Sequence, residues 1–269
     1  MLIRIFKVRR KHMITIISSA KSLDFEKEIF IDESTEPVFM NEVRELVDII
    51  KNYNLQEIAK IMKISNKLSK VNYNRFQCFY DQQVNTRQAI FGFSGEVYRA
   101  INPFEYDRSN IEFAQKHIRI LSGLFGVLRP LDNIKEYRLE MATKLRGIPE
   151  ENLYKFWTKK ITQNIVHDLN LKEDKTILNL ASLEYSKSID KSKLDTINVY
   201  DVEFKENIEG KYKIIGTYTK RARGLMVTYI VKNNIDNIED LKNFKEEGYC
   251  YKKEGSRKKK LVFTREKMI

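Results

Sequence analysis

Short apolar runs that suit strands recur between longer stretches of helical spacing along the whole chain, with no internal repeat, no Pro-, Gly- or Ser-rich linker and no low-complexity block. That interspersion restricts the chain to a mixed α/β (α+β) fold, in which helices surround a mixed sheet. At 269 residues one large domain of this class can still close around its own core, and residues 13–269 are expected to form it.

The first strand signal is Ile14, Ile16 and Ile17 after Met13, a run that empties into the small polar loop Ser18-Ser19-Ala20-Lys21. Before it stand Arg4, Lys7, Arg9, Arg10 and Lys11 with no acidic residue. The expectation is that residues 1–12 are a basic extension and that the working protein starts at Met13. Val43, Leu46, Val47 and Ile50 predict an amphipathic helix within 35–51, and Asn54 with Glu57 predicts a capping box opening a second helix to about Lys63. The polar stretch 65–74 reads as an interruption, with helices over 75–82 and 86–93. Ser109 with Glu112 predicts a cap for a helix reaching Gly123, and 124–132 reads as a strand leaving sharply at Arg129-Pro130.

Pro149 opens a predicted helix bearing Leu153, Phe156, Trp157, Ile161 and Ile165. Strands follow over 176–180, 196–204 and 212–219, then a helix over 222–233 and a terminal hairpin joining 248–251 to 261–264. No run is long and apolar enough to cross a bilayer and no signal peptide is evident, so the cytoplasm is the expected compartment. Cys78 and Cys250 stand alone and the three histidines are scattered, which argues against a disulfide framework and a structural zinc site. With no Walker or GxGxxG pattern, neither a cofactor nor a metal is expected.

Charge points to a polyanion only loosely. The 49 Lys and Arg against 37 Asp and Glu give +12, and without the five cations of residues 1–12 the balance is +7. Local patterns say more. Lys21 and Asp24 lie in a small-residue loop that phosphate or carboxylate could approach. If 138–140 is extended, Arg138 and Glu140 share one face, a guanidinium for an anion beside a carboxylate able to act as base. Asn179, Ser182 and Glu184 mark a strand end running into a helix start. Lys220, Arg221 and Arg223 put three cations where a strand gives way to a helix, which a bound anion would relieve. Residues 252–267 are also strongly basic, as a hairpin tip tracking DNA or as solvated surface.

Several of these segments together resemble the peroxide stress protein YaaA family: SSAKSLDF (18–25), ISNKLSKVNYNRF (64–76), RQAIFGFSGEVY (87–98), FAQKHIRILSGLFGVLRPLDNIKEYRLEM (113–141), LYKFW (153–157), ILNLASLEYSKS (177–188), KRARGLM (220–226) and EEGYCY (246–251). The resemblance implies a cytoplasmic protein of the peroxide stress response that limits free iron and DNA damage. It further implies a positively charged cleft and a helix-hairpin-helix-like element that binds double-stranded DNA. Here that element would be Leu55–Lys63, a turn over 65–71 and a helix over 74–82, with Lys67 and Lys70 at the turn. This chain departs from the family pattern in carrying Lys70 where glycine is expected, and SSAK in place of SPAK.

Two readings follow. In the first, a non-catalytic protein binds duplex DNA through Lys67, Lys70, Arg129, Asn179, Ser182, Lys220, Arg221 and Arg223. In the second, an enzyme acts on a nucleotide or other phosphorylated small molecule with Lys21, Asp24, Arg138, Glu140 and Glu184, because carboxylates beside cations suit a catalytic pocket better than a phosphate backbone. Iron ligation by Glu184 and Asp24 is a weak third, since no facial triad is visible. Whether the residues of the second reading converge in space separates the first two.

Overall fold

A computed structural model describes residues 12–170 and 175–266. The expectation of a basic extension falls on residues 1–11, which lie outside them, and on His12. The chain enters through β1 (His12–Ser18), where Met13, Ile14, Ile16 and Ile17 are all buried, so both faces of the strand are covered. After β2 (Ser22–Leu23) come α1 (Met40–Lys51), α2 (Leu55–Met62) and α3 (Asn66–Gln77). α1 buries its four predicted apolar residues, and α2 has the expected Asn54–Glu57 capping box.

α3 corrects the reading of 65–74 as an interruption. Ser65 caps it by accepting from the Leu68 N–H, and the buried side of its first turns is made by Ser69 and Asn72. Asn72 donates to the Leu68 carbonyl one turn back, which pairs its buried amide nitrogen, while its Oδ1 has no partner among the described residues. The link between α2 and α3 is therefore Lys63-Ile64-Ser65, with Lys63 left-handed at φ 52°, and Lys67 and Lys70 stand on a helix rather than in a turn.

The next segment was expected to be one helix over 86–93. It is instead β3 (Arg87–Gln88), the single turn α4 (Ala89–Gly92) and β4 (Phe93–Ser94), followed by α5 (Glu96–Ile101). α6 (Arg108–His117) is capped by Asp107 and Asn110, not by Ser109 and Glu112; the Ser109 hydroxyl donates to Asp107. It ends before Gly123 because β5 (Ile118–Ser122) takes over, with every residue buried between neighbouring strands. A tight turn leads to β6 (Gly126–Leu128), then β7 (Asn133–Ile134). Gly126 has φ +68°, and a Cβ there would lie 2.6 Å from the Trp157 ring, so turn and helix packing both require glycine.

Pro149 starts a short 3-10 turn, and α7 (Leu153–Asn170) begins beyond it. β8 (Lys175–Asn179), α8 (Leu183–Ser186) and β9 (Asn198–Ile208) follow. The strand predicted over 212–219 shrinks to β10 (Lys211–Lys213), because α9 (Gly216–Lys232) already starts at Gly216. β11 (Cys250–Tyr251) and β12 (Lys260–Glu266) form the expected antiparallel terminal pair.

The main sheet runs β11-β12-β9-β8-β1-β5-β6, with β10 beside β9. β1 pairs parallel with both β5 and β8, β9 continues parallel to β8, and β12 to β9, while β6, β10 and β11 are antiparallel. The chain leaves β1 for β5 on one side and later returns to β8 on the other. Such a switch of direction opens a crevice at the carboxyl ends of the central strands, where open α/β sheets place their ligands.

Candidate functional site

Three loops meet at that crevice. The Ser18 hydroxyl, at the end of β1, accepts from the Ser182 N–H at 2.9 Å and donates to the Ser182 hydroxyl at 3.3 Å, so the loops after β1 and β8 are tied together. The Ser18 carbonyl accepts from the Tyr98 hydroxyl at 3.0 Å. At the end of β5 the Ser122 hydroxyl accepts from the Leu124 and Phe125 N–H groups and lies 2.6 Å from the Tyr137 hydroxyl. Burial pushes the pKa of Tyr137 and Tyr185 well up, and the Ser19 hydroxyl, which faces both phenols, works against it. Glu184 and Glu140 raise Tyr185 further, which places two carboxylates beside one neutral phenol.

The alternation expected at 138–140 is present: Tyr137, Leu139 and Met141 are buried while Arg138 and Glu140 are half-buried. Gly123 makes room for it, since a Cβ there would lie 2.2 Å from the Leu139 carbonyl oxygen. Glu140 is held from two sides. Its Oε2 lies 2.5 Å from the Lys21 Nζ, and its Oε1 accepts from Arg138 at 3.0 Å. The Arg138 Nε is sealed from solvent with no partner among the described residues. Glu184 accepts from the Ala142 N–H at 3.1 Å. Lys21, Arg138, Glu140, Ser182 and Glu184 thus belong to neighbouring loops at one edge of the sheet. A carboxylate between an ammonium and a guanidinium, beside buried phenols, can hold an anion and move a proton.

Other predicted residues lie elsewhere. Asp24 does not pair with Lys21; its carboxylate accepts from the Glu26 N–H, and it lines a separate cavity of about 250 Å³ with Lys27, Ser94 and Arg99. Arg129 is bound to the buried Asp132 at 2.9 Å and donates to the Glu36 carbonyl, which holds the turn at Pro130 and leaves the guanidinium committed to the fold. Asn179 ties β8 to β9 by donating to Asp201 at 2.7 Å, and accepts from the Ala181 N–H. Lys220, Arg221 and Arg223 sit past the first turn of α9, so the expected clash with the helix N-terminus does not arise. Arg221 is engaged by Glu247 at 2.6 Å. Arg223 has no partner among the described residues, and burial lowers its pKa.

A second basic region surrounds the α2–α3 hairpin. Lys60, Lys63, Lys144 and Arg146 line a cleft of about 480 Å³ that also holds Glu57 and Glu151. Arg146 pairs with Glu57 and stacks over Tyr53, whereas Lys60, Lys63, Lys67, Lys70 and Lys144 are exposed and form no ion pair with any described residue. The sequence reading passed over Tyr98, Tyr137 and Tyr185 and the cations Lys60, Lys63, Lys144 and Arg146. Tyr137 and Tyr185 could have been noticed as direct neighbours of Arg138 and Glu184; nothing local marks Tyr98 or the cleft cations.

Among the described residues no three His, Cys, Asp or Glu side chains gather to hold a metal ion, and no helix is long and apolar enough to cross a membrane. The family model described as peroxide stress protein YaaA matches residues 13–255. A UPF0246 protein of Clostridium beijerinckii is 45% identical over 255 residues, covering 94% of this chain and 98% of its own length. One from Francisella philomiragia is 43% identical over 256 residues, covering 94% and 100%, and one from Alteromonas mediterranea 40% over 255 residues, covering 94% and 98%. The family model covers most of the chain and these relatives are matched over nearly their whole length: the chain belongs to the peroxide stress protein YaaA family.

Proposed function

We propose that the protein acts in the peroxide stress response of the cytoplasm by binding duplex DNA through phosphate contacts that carry no sequence information. The supporting observation is the set of exposed cations Lys60, Lys63, Lys67, Lys70 and Lys144, none of them tied to a carboxylate of the described residues. Cations free of internal partners can neutralise phosphates and release counterions, which supplies most of the free energy of non-specific binding. The helix pair α2–α3 with its link carries four of the five; Lys70, where the family pattern expects glycine, stands on α3, so side-chain charge is the source of affinity. Limitation of free iron and of DNA damage belongs to the same reading and rests on family membership. A duplex titration over a range of salt, with these lysines changed to alanine, tests it.

A specific observation favours a second reading, an enzyme acting on a phosphorylated small molecule. Lys21, Arg138 and Glu140 converge at the carboxyl ends of β1 and β5, as a catalytic pocket requires and a backbone-binding groove does not. In this reading Arg138 and Lys21 hold the anion and Glu140 is the base. Nucleotide binding that survives removal of the hairpin lysines but is lost in Arg138→Met would support it; absence of any such binding would count against it.

A further inference from the structure

The three cations of the 220–223 run meet three different environments. Lys220 is exposed, Arg221 is occupied by Glu247, and Arg223 lies on the helix face shared with the buried Thr219, Met226 and Ile230. The Arg223 Nε is sealed from solvent and unbonded, while its terminal nitrogens, which form no hydrogen bond, are not sealed. One turn earlier the Thr219 hydroxyl is also sealed and unbonded. The two orphaned groups stand at i and i+4, the spacing that brings side chains together on a helix.

Among the described residues no carboxylate pairs with Arg223. Glu247 serves Arg221 and Arg265, and Glu206 serves Arg265 and Tyr249. Nor can α9 readily turn to expose the guanidinium. Gly224 presses on the Val97 carbonyl, where a Cβ would come within 2.2 Å, and Thr228 donates to the Ala100 and Ile101 carbonyls. A half-buried guanidinium with a sealed, unbonded Nε and no counter-charge among the described residues is costly unless something anionic completes it.

We propose that Arg223 and Thr219 form the seat of one small oxyanion, the phosphate group of a phosphorylated small molecule, with the guanidinium N–H groups and the threonine hydroxyl as donors. A guanidinium sealed on one side suits a ligand that enters the protein, whereas a duplex lying over the surface reaches exposed cations such as Lys67 and Lys70. The site is independent of the hairpin lysines, so the two can fail separately.

The test is thermal unfolding of the full chain in inorganic phosphate against chloride at matched ionic strength, for wild type, Arg223→Met and Thr219→Val. Phosphate at tenfold its Kd is expected to raise the wild-type Tm by about 3–6 °C. Arg223→Met should abolish the rise, and Thr219→Val should weaken phosphate affinity roughly fivefold. No rise in wild type, or an equal rise in Arg223→Met, overturns the assignment. Should Arg223→Met fail to fold, unchanged affinity in Thr219→Val overturns it. Duplex affinity is expected to be unchanged in Arg223→Met; its loss, with wild type indifferent to phosphate, would give the guanidinium to DNA and also refute the seat.

Discussion

The Lys21 ammonium lies 2.5 Å from the Glu140 carboxylate, clamping the loop that leaves the central strand to a segment far along the chain. The same carboxylate accepts from a terminal nitrogen of Arg138, whose Nε has no partner among the described residues. Removing the charge from Glu140 leaves a half-buried guanidinium uncompensated, so Glu140→Gln is expected to destabilise by about 1–2 kcal/mol in urea unfolding. Lys21 is 60% exposed, and Lys21→Met should cost less than about 1 kcal/mol. Equal costs would show that Lys21, not Arg138, is the partner that matters.

Ser122 satisfies three groups at once, the Leu124 and Phe125 N–H groups and the Tyr137 hydroxyl. Ser122→Ala would orphan the Leu124 and Phe125 N–H groups in a buried turn and leave the Tyr137 hydroxyl to Ser19 alone. The expected loss is about 3 kcal/mol by chemical denaturation, against about 1 kcal/mol for Tyr137→Phe, which leaves both N–H groups bonded to Ser122.

Glu247 has its pKa lowered chiefly by the hydrogen bond from Arg221, with Arg265 adding to the effect and burial opposing it. A carboxyl whose pKa is lower in the folded state contributes stability above its unfolded pKa of about 4.3, and that contribution is lost as pH falls through the folded value. Wild type should therefore lose urea stability more steeply than Glu247→Gln between roughly pH 5 and pH 3. Parallel curves over that window would show that Arg221 and Arg265 do not favour the ionised form.

Parts of the fold were legible because local pattern and tertiary outcome coincide. α1 shows its buried stripe in Val43, Leu46, Val47 and Ile50, and β1 shows its burial on both faces in Met13, Ile14, Ile16 and Ile17. β5 was not legible: Ile118 and Leu121 continue the helical spacing of Ile111 and Ala114, and only enclosure between β1 and β6 makes them strand. α3 hides because its first buried positions are the polar Ser69 and Asn72, which donate to carbonyls of their own helix. In the site, the alternation of Arg138 and Glu140 is a local property and was readable. The approach of Lys21 to Glu140 and the burial of Arg223 depend on which loops the sheet brings together, and no spacing in the chain encodes them.

The account rests most directly on the free cations of the α2–α3 hairpin. Duplex binding followed by fluorescence anisotropy, from low to physiological salt, compares wild type with the quadruple variant Lys60→Ala, Lys63→Ala, Lys67→Ala and Lys70→Ala. Wild-type affinity should fall steeply and linearly on a log–log salt plot, and each lysine that contacts a phosphate should take about one from the slope when removed. Binding that is undetectable, indifferent to salt, or unchanged in the quadruple variant would contradict it.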